Sequence, residues 1–161
     1  MRLHSINFLL QGLPFVLCLD RGGLVGEDGP THHGVLDIAM FIAMPNIVIS
    51  APKDGNELRN LFHTALNSGK GFVIRYPKGD CISYDSSLEH KILDIGKWEI
   101  LKEGDKVAIL ATGSMVDVAM KEYSAICDQV GFKPTLVNAR FIKPIDRDML
   151  IKFFDKKEKI I

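Results

Sequence analysis

The sequence predicts an α/β fold built from parallel sheets with crossover helices. Short, uninterrupted apolar runs, typical of strands buried on both faces, alternate with longer segments whose apolar residues recur at helical spacing. Such alternation favours parallel strands joined by right-handed crossovers. A polar stretch without a period, residues 81–96, separates two groups of these elements. We therefore expect a first unit over residues 1–80, a linker over 81–96, and a second unit over 97–161.

The first unit is predicted to contain three strands and three helices. Residues 3–11 have the pattern of the end of an amphipathic helix that Gly12 closes. A later helix begins at Asp54, where Asp54 and Glu57 have the spacing of a capping box. The elements are expected in this order: helix 3–11, strand 14–20, glycine-rich stretch 21–34, helix 35–44, strand 46–50, helix from 54, and strand 72–76.

The second unit continues the same alternation. Strands are predicted over 98–101, 107–111 and 135–138, helices from 114 and from about 146, and a further strand beginning at 159. In the helix from Ser114, the residues expected to face inward are Val116, Ala119, Met120, Tyr123 and Cys127. The first unit opens within a helix pattern and the second stops as a strand begins, so both units are expected to be incomplete.

Composition and charge exclude several classes of function. Of the 161 residues, 47% are hydrophobic and 25% charged, as in globular proteins. Twenty basic residues balance 20 acidic ones, which gives no electrostatic reason to expect nucleic acid or an anionic membrane as partner. No apolar run approaches the roughly 18 residues of a membrane span, and no signal-peptide cleavage pattern follows the N-terminus. Three widely spaced cysteines favour a reducing compartment, so we expect a cytoplasmic protein.

The glycine-rich segment 20–34, DRGGLVGEDGPTHHG, is the predicted functional site. It follows the first strand, and the active sites of α/β sheets lie beyond the carboxyl ends of the strands. Its residue types suit a sugar phosphate. Arg21 can hold a phosphate through its planar fork, and His32 can transfer a proton near neutral pH. Asp28 can orient an imidazole or accept a substrate hydroxyl.

Each of these residues also has a simpler explanation, and the sequence leaves both open. Arg21 could form a salt bridge with Asp20 or Glu27, and His32 could be a turn histidine bonded to backbone. A metal site is not expected, because Asp28 and His33 have no further ligands at useful spacing, and the remaining histidines are isolated: His4, His63 and His90. At the predicted strand-to-helix turn before residue 115, Ser114 could help to bind an anion, although a helix cap is the simpler hypothesis.

Several segments together resemble the 1-deoxy-D-xylulose-5-phosphate synthase family of the transketolase superfamily. GEDGPTHHG resembles a loop that transketolases share, whereas the preceding LDRGGLVG resembles the synthase branch. The likeness continues in the same order along essentially the whole chain, which makes it specific. Its segments are 19–26, 26–34, 45–58, 74–79 (IRYPKG) and 138–146 (NARFIKPID).

This resemblance implies an activity and roles for four residues. The family joins pyruvate to glyceraldehyde 3-phosphate with loss of CO2, using thiamine diphosphate and Mg²⁺, and its product feeds isoprenoid, thiamine and pyridoxal synthesis. By resemblance, Arg21 and Lys78 bind the aldehyde's phosphate, while Asp28 and His32 contact the intermediate and His32 handles the proton. Lys78 departs from the family's usual arginine. The loss of bidentate hydrogen bonding by a guanidinium is expected to weaken phosphate binding by about 1–2 kcal/mol.

The resemblance also implies an internal fragment, covering part of a pyrimidine-binding domain and part of a C-terminal domain. The diphosphate and metal site, and the glutamate that activates the cofactor, are expected to lie outside this chain, so we expect no activity from it alone. A homo-oligomer, or a partner that supplies the missing N-terminal half, is expected to cover its apolar faces. Two other hypotheses stay open: a non-catalytic module, or half of a split transketolase or a 2-oxo-acid dehydrogenase beta subunit.

Overall fold

The computed structural model describes residues 11–26, 28–81, 83–156 and 159–161 and confirms the predicted fold class. The helix expected over 3–11 lies almost entirely outside these residues, as does Glu27. The strands are β1 Phe15–Leu19, β2 Ile47–Ser50, β3 Gly71–Arg75, β4 Glu99–Lys102, β5 Val107–Ala111, β6 Thr135–Asn138, β7 Phe141–Lys143 and β8 Lys159–Ile160. The α-helices are α1 Asp37–Ile42, α2 Gly55–Ser68, α3 Met115–Val130 and α4 Arg147–Asp155, and a short 3₁₀ helix spans Pro30–His32.

The first sheet positions the predicted site. Its strand order is β1-β3-β2-β7, and β1 and β2 both run parallel to β3. The carboxyl ends of these three strands therefore share one edge, where an α/β sheet places its ligands. The segments that follow them, from residues 20, 51 and 76, meet at that edge.

Strand β7 is an element that the sequence did not predict. It lies in the second half of the chain, yet it pairs antiparallel with β2 of the first sheet, with Ile49 opposite Lys143 and Ser50 opposite Phe141. Three residues are too few to show a period of two, and Pro144 follows at once. The first sheet is thus completed by a strand from beyond residue 96.

The second sheet has the order β4-β6-β5-β8. Strands β6 and β8 run parallel to β5, and β4 pairs antiparallel with β6. Each sheet therefore carries one antiparallel strand, so the predicted sheets are mixed and not purely parallel.

The helix termini follow the sequence in two cases and depart from it in one. Asp54 accepts a hydrogen bond from the Glu57 amide at 2.7 Å, which confirms the predicted cap of α2. Asp146 accepts similarly from the Met149 amide at 3.1 Å and caps α4. Ser114 makes no side-chain capping bond to α3, so the predicted cap is wrong.

The inward face of α3 is narrower than predicted. Val116 is buried, and Ala119 and Tyr123 are partly buried against the second sheet. Met120, which was expected to face inward, is 39% exposed, so that prediction is wrong. In the described part of the chain, no helix is long and apolar enough to cross a membrane.

One hydrophobic core extends across both sheets. Its buried members in the first half include Leu61 and Phe72, and those in the second include Trp98, Phe141 and Phe153. The rings of Phe72 and Phe141 meet edge to face with centroids 6.4 Å apart. The two units therefore exclude water from a shared interior.

The polar stretch predicted as a linker lies along helix α2. We call residues 83–96 of this stretch the strap. Side-chain oxygens spaced one helical turn apart accept hydrogen bonds from backbone amides of the strap: Asn56 from Asp85 at 3.0 Å, Asn60 from Lys91 at 3.0 Å, and Thr64 from Leu93 at 2.8 Å. This polar face satisfies strap amides that have no strand partner.

Candidate functional site

The glycine-rich segment after β1 folds back on itself at the shared sheet edge. The Gly22 amide donates to the Tyr76 carbonyl at 2.9 Å, and the Gly34 amide donates to the Arg21 carbonyl at 3.0 Å. A side chain at Gly34 would place its Cβ only 2.3 Å from the Arg21 oxygen, so this close approach requires glycine. The turn thereby fixes the backbone of Arg21, which has a φ of 59°.

Three of the four predicted site residues converge at this turn. The Asp28 carboxylate accepts from Arg21 Nε at 2.8 Å, and Lys78 Nζ lies 2.8 Å from both of its oxygens. Arg21 also forms an ion pair with Asp20. Lys78 follows β3 and lies 50 residues beyond Asp28, so only the fold brings these groups together.

The charges in this cluster shift the pKa values of Asp28 and Arg21. Hydrogen bonds from Lys78, and secondarily from Arg21, lower the pKa of Asp28 from 3.8 to about 2. The hydrogen bond that Arg21 donates to Asp28, aided by the charge of Asp20, raises the pKa of Arg21. Both shifts favour the charged forms of Asp28 and Arg21, and Lys78 bonds to the same carboxylate.

The two histidines of the loop have different surroundings. His33 Nδ1 accepts a hydrogen bond from the Val25 amide at 3.0 Å, so His33 is the turn histidine. His32 is exposed, and its Nδ1 lies 3.1 Å from Thr31 Oγ1. The hydrogen bond of His32 thus goes to Thr31 and does not join the cluster formed by Arg21, Asp28 and Lys78.

A second arginine holds the end of the loop, and sequence reasoning gave it no role. Arg75 Nε lies 2.5 Å from Asp37 Oδ2, and its guanidinium also donates to the Gly34 carbonyl at 3.3 Å. Both side chains are mostly buried, with 17% and 13% exposed. Arg75 lies in the segment 74–79, which carries part of the family resemblance, but only the fold shows that its side chain supports the loop.

A cavity of about 310 Å³ opens beside the cluster, and among the described residues Ser114 is the one that lines it from the second unit. Lys78 and Asp20 line it from the first sheet edge, Lys53 from the start of α2, and Ser114 from the turn before α3. Pro52, Leu58 and Tyr76 contribute apolar surface. A mixed lining of this kind is typical of small-molecule sites. Sequence reasoning missed it because its walls come from four separate segments.

The described residues do not present a metal centre. No group of three or more His, Cys, Asp or Glu side chains in this part of the chain could hold a metal ion. The rings of His63 and His90, expected to be isolated, lie 5.4 Å apart between α2 and the strap, so that expectation is wrong.

Two family models match the chain. The transketolase pyrimidine-binding domain matches residues 5–82, and the transketolase C-terminal domain matches residues 96–161. Together with the α/β fold and its loop-borne site, these matches show that the chain belongs to the transketolase family.

Within that family, the chain is similar to curated 1-deoxy-D-xylulose-5-phosphate synthases. It is 43% identical over 159 residues to the one from Syntrophus aciditrophicus (strain SB), a match covering 99% of this chain and 24% of the relative. It is 47% identical over 152 residues to the one from Dictyoglomus thermophilum, covering 94% and 24%. The chain thus spans about a quarter of the length of these relatives.

Solved structures share the fold. A split-gene transketolase described as an inactive beta4 tetramer matches with a TM-score of 0.73 at 21% identity, over 90% of this chain and 45% of that one. A transketolase mutant from Pichia stipitis matches with a TM-score of 0.73 at 24% identity, over 89% and 21%. At these identities the likeness supports the fold alone.

Proposed function

We propose that the chain is part of an enzyme that joins pyruvate to glyceraldehyde 3-phosphate with loss of CO2, forming 1-deoxy-D-xylulose 5-phosphate. This product is a precursor of isoprenoids, thiamine and pyridoxal. The similarity to curated synthases over nearly the whole chain supports the proposal. The observation that carries it is the convergence of Arg21 and Lys78 on one carboxylate.

In this proposal Arg21 and Lys78 bind the phosphate of the aldehyde. Their charged nitrogens lie within 2.8 Å of the same carboxylate, so one anionic group reaches both. An arginine adds a planar fork and a lysine a point charge, which together suit a phosphate. The adjoining cavity, which Lys78 also lines, would receive the rest of the substrate.

Asp28 and His32 are proposed to act on the intermediate. Asp28 keeps its charge at neutral pH and can accept hydrogen bonds from substrate hydroxyls once phosphate engages the two cations. His32 is exposed, and Thr31 orients its ring, so His32 is free to meet a substrate and to transfer a proton.

Thiamine diphosphate and Mg²⁺ are what family membership implies for the whole enzyme. We propose that the diphosphate and its ion are held by the part of the relatives that this chain does not span. The chain alone is then expected to be inactive. An assay with thiamine diphosphate, Mg²⁺, pyruvate and glyceraldehyde 3-phosphate checks this, with a full-length relative as positive control. Steady product formation by the chain alone would contradict it.

Phosphate binding tests the substrate assignment without catalysis. Isothermal titration calorimetry with glyceraldehyde 3-phosphate should show binding to the chain, and Arg21→Ala should weaken it at least tenfold, as expected for a charged hydrogen-bond donor. Lys121→Ala is the matched control, because the Lys121 side chain is 71% exposed on α3 and pairs with Asp117 away from the cluster. Equal binding by the Arg21→Ala variant would overturn the assignment.

We also propose that the chain associates with itself or with a complementary partner. Large apolar side chains on and beside α1 are exposed, among them Leu36 at 66% and Met40 at 60%. Clustered exposure of this kind marks interaction surfaces. Sedimentation velocity should show oligomers that Leu36→Lys weakens, whereas a stable monomer at high concentration would contradict the proposal.

A further inference from the structure

We infer that the two units fold as one cooperative body, held by a buried polar junction, and that Glu57 and Asn138 at this junction are positioning residues for the cavity beside the site. The polar junction consists of Lys53, Glu57, Glu99, Asn138 and Arg140. The claim about the cavity rests on the proposed function; the claim about cooperative folding does not.

Asn138, at the end of β6, is the centre of the junction. It is fully buried, and its Nδ2 donates to Glu57 Oε1 at 2.8 Å and to Glu99 Oε2 at 3.3 Å. Within the described part of the chain, its Oδ1 has no hydrogen-bond partner. Both protons of the amide are therefore used on carboxylates, one from each unit.

Glu57 is a buried carboxylate, only 5% exposed, that is bound from both halves of the chain. Its Oε2 accepts from the Lys53 amide at 2.8 Å, and its Oε1 accepts from Asn138 and, at 3.4 Å, from Arg140. A buried charge is tolerated only when such partners satisfy it. Separating the units would therefore remove the two partners of Glu57 Oε1, Asn138 and Arg140, and leave that buried oxygen unpaired.

Backbone contacts surround the junction and make separation costlier. Strand β7 pairs with β2, and the Ala51 amide donates to the Arg140 carbonyl at 2.9 Å. Lys53 Nζ also reaches Glu99 of β4 at 2.5 Å. Sheet pairing, a shared apolar core and the polar junction thus cross the same boundary.

The junction also bears on the site. Glu57 holds the turn that begins α2, and Lys53 of that turn lines the cavity. Asn138 is the last residue of β6, which pairs with β5, the strand that leads to Ser114, another residue that lines the cavity. The hydrogen bond between Glu57 and Asn138 therefore links the turn that carries Lys53 to the sheet that leads to Ser114, and both residues line the cavity.

Reversing the carboxylate and the amide tests the inference. Asn138→Asp alone crowds three carboxylates. Glu57→Gln alone keeps one acceptor oxygen for two donors, so its amide NH2 faces either Asn138 Nδ2 or the Lys53 N–H. The double variant, Glu57→Gln with Asn138→Asp, restores an amide–carboxylate pair in the opposite direction. Each variant of the full chain is unfolded in urea and followed by Trp98 fluorescence and by far-UV circular dichroism. Trp98 is the chain's one tryptophan and lies in the shared core.

If the two units unfold as one cooperative body, the fluorescence and circular dichroism transitions of the unaltered chain should coincide. Asn138→Asp should lower the melting temperature by more than about 5 °C or abolish folding, and the double variant should regain at least half of the loss. Asp117→Asn, on the surface of α3, is the control and should change neither signal. Separate transitions in the unaltered chain, or no recovery in the double variant, would overturn the inference.

Phosphate binding separates this inference from the proposed function. The affinity for glyceraldehyde 3-phosphate should fall in Glu57→Gln and recover in the double variant under conditions in which both are folded. Absence of binding in the unaltered chain defeats the proposed function, yet leaves the unfolding result to decide on cooperativity. Unchanged affinity in a folded Glu57→Gln variant defeats the positioning role.

Discussion

Asp28 shows how one residue can hold a binding site together. Its carboxylate bonds to Arg21 from the loop and to Lys78 from the segment after β3, two parts of the chain that no other described ion pair connects. The sequence predicted Arg21, Asp28 and Lys78 individually. It could not predict that the acid lies between the two bases, because 50 residues separate Asp28 from Lys78.

Replacing Asp28 with asparagine should reduce stability in a pH-dependent way. The pKa of Asp28 in the folded chain, about 2, is below its ordinary 3.8. Its stabilisation is therefore present above about pH 4 and is lost as the pH falls toward 2. The urea midpoints of the unaltered chain and of Asp28→Asn, measured from pH 6 to pH 2.5, should differ near pH 6 and converge near pH 2.5. A gap that is constant across this range would contradict the pairing.

Replacing Lys78 with arginine should tighten phosphate binding. Arginine restores a planar fork where lysine offers a point charge. Because the Lys78 side chain is 42% exposed, solvent screening limits the gain to about 1 kcal/mol, roughly fivefold in Kd. Calorimetric titration with glyceraldehyde 3-phosphate measures it, with Lys121→Arg as the control. Weaker binding in Lys78→Arg would show that the site is shaped for lysine.

Adjacent histidines illustrate a limit of sequence reasoning at this scale. His32 and His33 are equally polar, and nothing in their order indicates which one bonds to backbone. The fold assigns that bond to His33 and leaves the ring of His32 exposed beside Thr31. The role predicted for His32 stays a prediction.

Among the elements, the glycine-rich loop depends on a close backbone contact. Gly34→Ala should destabilise the chain by about 1–3 kcal/mol, as overpacking does, because the new Cβ meets the Arg21 carbonyl. It should also weaken phosphate binding by displacing Arg21. Gly26→Ala is a matched control, because Gly26 has open space around it and its φ is not in the left-handed region. Thermal unfolding measures the change in stability, and calorimetry measures the change in phosphate binding. Equal effects of Gly34→Ala and Gly26→Ala would contradict the role of the close contact at Gly34.

Elements with strong periods or caps could be predicted, and short ones could not. Strands β5 and β6 have the predicted bounds, and α2 begins after its predicted cap at Asp54. Helix α1 is shorter than the predicted 35–44, and β7 was missed, since its pairing with β2 depends on tertiary contact alone. The strap has no helical or strand period because its hydrogen bonds go to side chains of α2.

At the scale of the whole molecule, the shared core determines stability. Phe141 is fully buried and packs against Phe72, so Phe141→Ala should cost about 3–5 kcal/mol. That loss is comparable to the total stability of many domains, so extensive unfolding at 37 °C is expected. Phe154→Ala is the control, because Phe154 is 66% exposed and should change stability by less than about 0.5 kcal/mol. Chemical denaturation compares them; similar midpoints would show that the core is not shared.

Strand β7 also has a consequence for synthesis on the ribosome. A nascent chain that has released β1, β2 and β3 still lacks the strand that covers the outer side of β2, because residues 141–143 are translated later. Domains generally fold in order as they emerge. The first sheet therefore cannot be completed until most of the second unit has left the exit tunnel. Until then the edge of β2 stays accessible to chaperones.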